Sequence, residues 1–120
     1  MDERPVIPVN VNANDNPLAI FTHNTLRPVL KQQHTLLCPI IKNDKNLRSH
    51  AFSNFTQEKN MIFLKANLQK NTGLRNLLIG LIIGRFSLEE FDFYQKNQKE
   101  VTRRIIEMSI IRFLSEFTPN

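Results

Sequence analysis

From residue 26 to residue 117 the apolar positions recur mostly at spacings of three and four, the period of helices with one buried face. Leu26, Val29, Leu30, Gln33, Leu36 and Leu37 share one such face, and Pro39 is expected to stop that helix. Apolar residues flank Pro39 on both sides, which leaves a short edge strand at 35–41 open as an alternative. Asn43 to Asn46 reads as a turn. Leu47, Ala51 and Phe55 repeat at four, enough for a further helical turn. Thr56 is a natural cap for a helix over residues 57–70, with Glu58 in its first turn and Lys70 in its last, where the macrodipole favours them. Residues 73–85 follow as a helix that is apolar around most of its circumference and is therefore expected to be buried.

The clearest local signal is Ser87-Leu88-Glu89-Glu90, a capping box with Phe86 and Phe91 placed for a hydrophobic staple. One helix must end at Arg85–Phe86 and another begin at Ser87. The helical pattern then continues to Phe117, with a break near Asn97. Glu100 and Arg104, Arg103 and Glu107, and Arg112 and Glu116 stand at the spacing of helical ion pairs. Ile105, Ile106, Ile110, Phe113 and Phe117 cover too many directions for one wet face, so the last helix needs cover on at least two sides, one of which a second subunit could provide. The pattern predicts an all-α fold: a small helical domain over 17–120, with a helical hairpin at about 57–117 as its core. Asn16-Pro17 suits the start of a short helix to Thr22. Residues 1–16, rich in Pro and Asn, read as an extended tail, and the alternation over 9–14 would also suit an arm that docks on a partner.

Composition narrows the classes. The chain has 120 residues, 41% apolar and 22% charged, which is ordinary for one globular domain. A single cysteine excludes an intrachain disulfide scaffold and suits a reducing compartment. The longest run of apolar residues and glycine, 77–84, is eight residues, against the roughly 20 a membrane span needs. With no basic start followed by an apolar stretch, a cytoplasmic location is expected.

Charge is distributed unevenly. The net charge of +5 conceals a segment 27–85 with ten bases and two acids, flanked by an acidic tail and a near-neutral C-terminal part. Lys42, Lys45, Arg48, Lys59 and Lys65 are the candidate basic surface, for an acidic protein or a nucleic acid, with His50, Phe52 and Phe55 among them able to stack on bases. No three basic residues are adjacent and no helix-turn-helix pattern fits, so a merely solvated basic face competes with both readings.

Candidate chemistry is sparse. Gly80 and Gly84 form a Gly-x-x-x-Gly pair that lets helices approach closely, either within the chain or across a dimer. His34 and Cys38, at i and i+4, could present two metal ligands or a nucleophile and base, but further ligands would have to come from His23 or His50. Glu89, Glu90 and Asp92 are better explained by the helix dipole than as catalytic carboxylates. No phosphate-cradling loop or nucleophile elbow is present. The expectation is a non-enzymatic interaction module, an adaptor or regulator, with no cofactor and no metal. It would form a homodimer through its C-terminal helices, with Gly80, Gly84, Ile105, Ile106, Ile110, Phe113 and Phe117 serving helix packing or the dimer interface; a nucleic-acid-binding regulator using the basic 27–85 segment is the alternative.

Overall fold

The computed structural model describes Arg4 and residues 16–117; the rest of the expected tail, with the alternating stretch at 9–14, lies outside the described residues. All regular structure among the described residues is helical, so the fold is all-α. Helix α1 spans Pro17–Phe21, and the Asn16 side-chain oxygen accepts from the Ala19 amide at 2.7 Å to cap it. A π-helical stretch, Thr22–Leu26, leads without a break into α2, Arg27–Lys42. Pro28 has no N–H to continue an α ladder, and the bond from the Arg27 amide to the Thr22 carbonyl keeps the chain helical just before it.

Neither the expected stop at Pro39 nor the alternative strand at 35–41 occurs: α2 runs through Pro39 to Lys42. Pro39 and Thr35, the residue whose carbonyl loses its helical donor, are both exposed, so water can satisfy the orphan carbonyl. Leu37 and Ile41 meanwhile anchor the opposite face in the core. After a turn at 43–49 and a 3-10 turn at Phe52–Asn54, α3 covers Gln57–Lys70 with Thr56 as its cap. Asn60 is buried, yet its amide is satisfied: Nδ2 donates to the Phe52 carbonyl at 2.8 Å and Oδ1 lies 3.2 Å from His50 Nε2.

Residues 57–117 resolve into four helices. Helix α3 is followed by α4 (Thr72–Ile83), α5 (Leu88–Lys96) and α6 (Gln98–Leu114), and a 3-10 turn at Ser115–Phe117 ends the described chain. Asn71 joins α3 to α4 by accepting from the Leu74 amide, while its Nδ2 donates to Asp44. The capping box at Ser87 is present in both directions. The Phe86 and Phe91 rings both approach Tyr94, and Phe86 also meets Phe21 edge-on. Asn97 separates α5 from α6.

Helix α6 is the hub. It packs against α2, α3, α4 and α5, and its Val101, Ile105, Ile110, Phe113 and Leu114 are buried. The chain's own helices thus cover several of its sides, while Ile111 stays exposed. The expectation for α4 is corrected in the other direction: only Leu74, Leu78 and Ile82 are buried, and Leu77 is 53% exposed. Ion pairing also differs from the expected set. Lys96 pairs with Asp92 and Arg103 with Glu100, while Arg112 and Glu116 both turn to His34.

Candidate functional site

All three glycines of the chain fall on or at the end of α4. Gly73, Leu77, Gly80 and Gly84 follow one another at helical spacing, so they occupy one face, and all four are exposed. A Cβ at Gly80 would meet nothing within 4 Å; at Gly84 it would lie 3.1 Å from the Gly80 carbonyl oxygen. The tight crossing within the chain considered for this pair is therefore absent. Helix α4 meets its neighbours through Leu74, Leu78 and Ile82 on the opposite side. Next to the glycine face, Pro39 and Ile40 of α2 share a cleft with Gly73 and Leu77, and Leu36, one turn earlier on α2, is 54% exposed.

The remaining residues proposed for helix packing or a dimer divide by burial. Ile105, Ile110 and Phe113 are in the core, and Ile106 and Phe117 are half-buried. Phe113 and Phe117 belong to an aromatic cluster with Phe52, at ring separations of 5.0 to 5.4 Å. Ile111, which points the other way, is 58% exposed.

Lys42, Lys45, Arg48, Lys59 and Lys65 are all exposed, but they do not converge on one groove. Lys45 borders the cleft beside Asn71, whereas Lys65 stands on the rim of a groove of about 400 Å3 between α3, the start of α4, and α6. Leu68, Ile106 and Ile110 contribute its apolar floor. Arg75, Lys99 and Arg103 join Lys65 around it, against Glu100 and Glu107. Two of these cations come from the C-terminal segment, whose near-zero net charge hid them. The aromatic residues offered for base stacking are already engaged: Phe52 is buried, and His50 lies over Phe63 at 3.9 Å and Phe55 at 4.9 Å.

His34 and Cys38 do meet on α2, with Sγ 3.6 Å from Nε2. Neither His23 nor His50 joins them; His23 lies beside Arg27 and His50 beside Asn60. Their partner is instead Glu116, which sequence spacing could not indicate. Burial, reinforced by the Glu116 carboxylate, pushes the Cys38 thiol up to about 11 despite the opposing charge of Arg112. Near neutral pH the sulfur is therefore a thiol and a poor nucleophile. Asp92 is held by Lys96, and Glu90 accepts from Arg4, Thr25 and the Ser87 amide. Partial burial acts to raise the Glu90 carboxyl, but those hydrogen bonds outweigh it and hold the group below its usual value. No helix among the described residues is long and apolar enough to cross a membrane. Comparison with protein-family models, with curated proteins and with solved structures finds no match for this chain.

Proposed function

We propose that the protein is a non-enzymatic interaction module that self-associates through the open face of α4 and offers its basic groove to an acidic protein segment. The carrying observation is the exposed stripe Gly73, Leu77, Gly80 and Gly84, with free space above Gly80. A glycine inside a helix costs about 1 kcal/mol relative to alanine. Nothing among the described residues requires that cost at Gly80. Close approach by an outside helix does, since small residues let backbones come together while Leu77 supplies apolar contact. The exposed Leu36 and the half-buried Ile40 of α2 would extend the seam. The four cations around an apolar floor suit a partner segment that alternates acidic and apolar residues. The nucleic-acid alternative rests on the same exposed lysines and arginines, but of the aromatic residues offered for stacking Phe52 is buried and His50 is packed on Phe63, which leaves Phe55, 48% exposed.

Sedimentation equilibrium tests the seam. Wild type should approach twice the 14.0 kDa chain mass at tens of micromolar, and Gly80→Leu should shift the protein to monomer with its helical circular dichroism intact. A wild type that stays monomeric, or a Gly80→Leu protein that associates unchanged, refutes the proposal.

A further inference from the structure

We propose that His34, Cys38 and Glu116 form a three-ligand site for a divalent cation of the zinc class, with a fourth position left for water or an outside ligand. The three bring the donor types zinc takes: an imidazole nitrogen, a sulfur and a carboxylate oxygen. His34 and Cys38 stand one turn apart on α2, so the helix fixes their separation. Glu116 arrives from the 3-10 turn after α6, itself held by Phe117 packing on Phe52 and Phe113.

The distances can be compared with a coordination tetrahedron. With bonds of about 2.3 Å to sulfur and about 2.0 Å to nitrogen and oxygen, its edges are about 3.5 Å for S–N and S–O and about 3.3 Å for N–O. In the structure Cys38 Sγ is 3.6 Å from His34 Nε2 and 3.8 Å from Glu116 Oε1. The third edge, His34 Nε2 to Glu116 Oε1, is 2.7 Å, a hydrogen bond that must open by roughly half an ångström to admit a cation. Glu116 is half exposed, so rotation of its side chain can supply that movement.

Arg112 Nη1 lies 3.3 Å from His34 Nδ1 and marks the metal-free arrangement. An imidazole that accepts from Arg112 at Nδ1 carries its hydrogen on Nε2, facing Glu116. Metal on Nε2 moves that hydrogen to Nδ1, and the guanidinium must turn away. It stands one turn before Glu116, within reach of the carboxylate's second oxygen. The thiol proton leaves to solvent as the sulfur binds, so one proton is released per cation.

Cobalt(II) titration of the full chain, followed by zinc competition, tests the site. The expected result is one cobalt per chain, with the visible bands of a tetrahedral centre, a near-ultraviolet thiolate-to-cobalt band, and displacement of both by zinc. Cys38→Ser should abolish the near-ultraviolet band. Glu116→Gln, at an exposed position that cannot unfold the core, should weaken cobalt binding by at least about tenfold. His23→Gln should leave it unchanged. An octahedral spectrum without the thiolate band, or binding that Cys38→Ser and Glu116→Gln leave at the wild-type level, overturns the proposal.

Discussion

Replacing Glu90 tests whether one carboxylate ties together segments far apart in sequence. Its two oxygens accept from Arg4 at 2.6 and 3.0 Å, from Thr25 at 2.9 Å and from the Ser87 amide at 2.8 Å. Arg4 also donates to the Arg85 carbonyl, so Arg4, the π stretch, the end of α4 and the start of α5 meet at this point. Glu90→Ala removes half of the capping box, about 1 kcal/mol. It leaves the Thr25 hydroxyl, on a residue only 5% exposed, without its acceptor, about 1–3 kcal/mol. The partly exposed Arg4 pair adds about 0–1 kcal/mol. The sum is about 2–5 kcal/mol, which for a domain of this size lowers Tm by on the order of 10 °C. Glu90→Gln keeps the shape but only one acceptor oxygen, hence at most two of the four contacts, and loses the charge; it should cost about 1–3 kcal/mol.

The two variants separate by pH. Because the folded carboxyl lies below its unfolded value, ionised Glu90 contributes stability that is full above about 4.3, the unfolded value, and is lost as pH falls through the folded one. Urea unfolding followed by circular dichroism should give a full wild-type-to-Gln difference at pH 7 that closes as the pH drops below about 4. A difference under about 0.5 kcal/mol for Glu90→Ala at pH 7 refutes the linking role. A wild-type-to-Gln difference that stays constant into strong acid refutes the charge argument.

Two further outcomes follow from single contacts. Asn60→Ala strips the Phe52 carbonyl and His50 of a buried partner and should destabilise by about 2–3 kcal/mol in urea unfolding, whereas a loss under about 0.5 kcal/mol would mean that water replaces the amide. Alkylation of Cys38 by iodoacetamide should be slow near neutral pH and rise about tenfold per pH unit across the folded range, because the thiol ionises only near 11; a rate that levels off below pH 9 contradicts that.

Local signals carried the elements well and the pairings badly. Thr56, Ser87 and Asn97 mark helix boundaries through hydrogen bonds spanning three or four residues, and such bonds are written in adjacent sequence. Pro39 misled because its rule concerns a carbonyl with no other partner, and exposure of that side of α2 was not visible in the spacing. The apolar run in α4 misled for a related reason: hydrophobicity says that a face tends to be covered, not that the chain itself covers it. Lys65 and Lys99 on one groove, Arg4 on Glu90 and Glu116 on His34 depend on how α2, α3 and α5 settle around α6, and no periodicity encodes that.

Departures from local rules are then the most informative residues, because each needs a compensating gain. Asn60 breaks the rule against buried polar groups and is compensated by the Phe52 carbonyl. Pro39 breaks the helix rule where it and Thr35 are exposed, so the orphan carbonyl is open to solvent. Ser109 is buried on α6 with a hydroxyl that finds no partner among the described residues, at a cost of about 1–3 kcal/mol. Gly80 breaks helix propensity on an open face, where neither a tight turn, a positive φ nor a neighbouring atom asks for glycine. Asn60 is compensated inside the chain and Pro39 by access to solvent. For Gly80 no compensation is found among the described residues, and the seam proposed above, an outside helix on the stripe around it, would supply one.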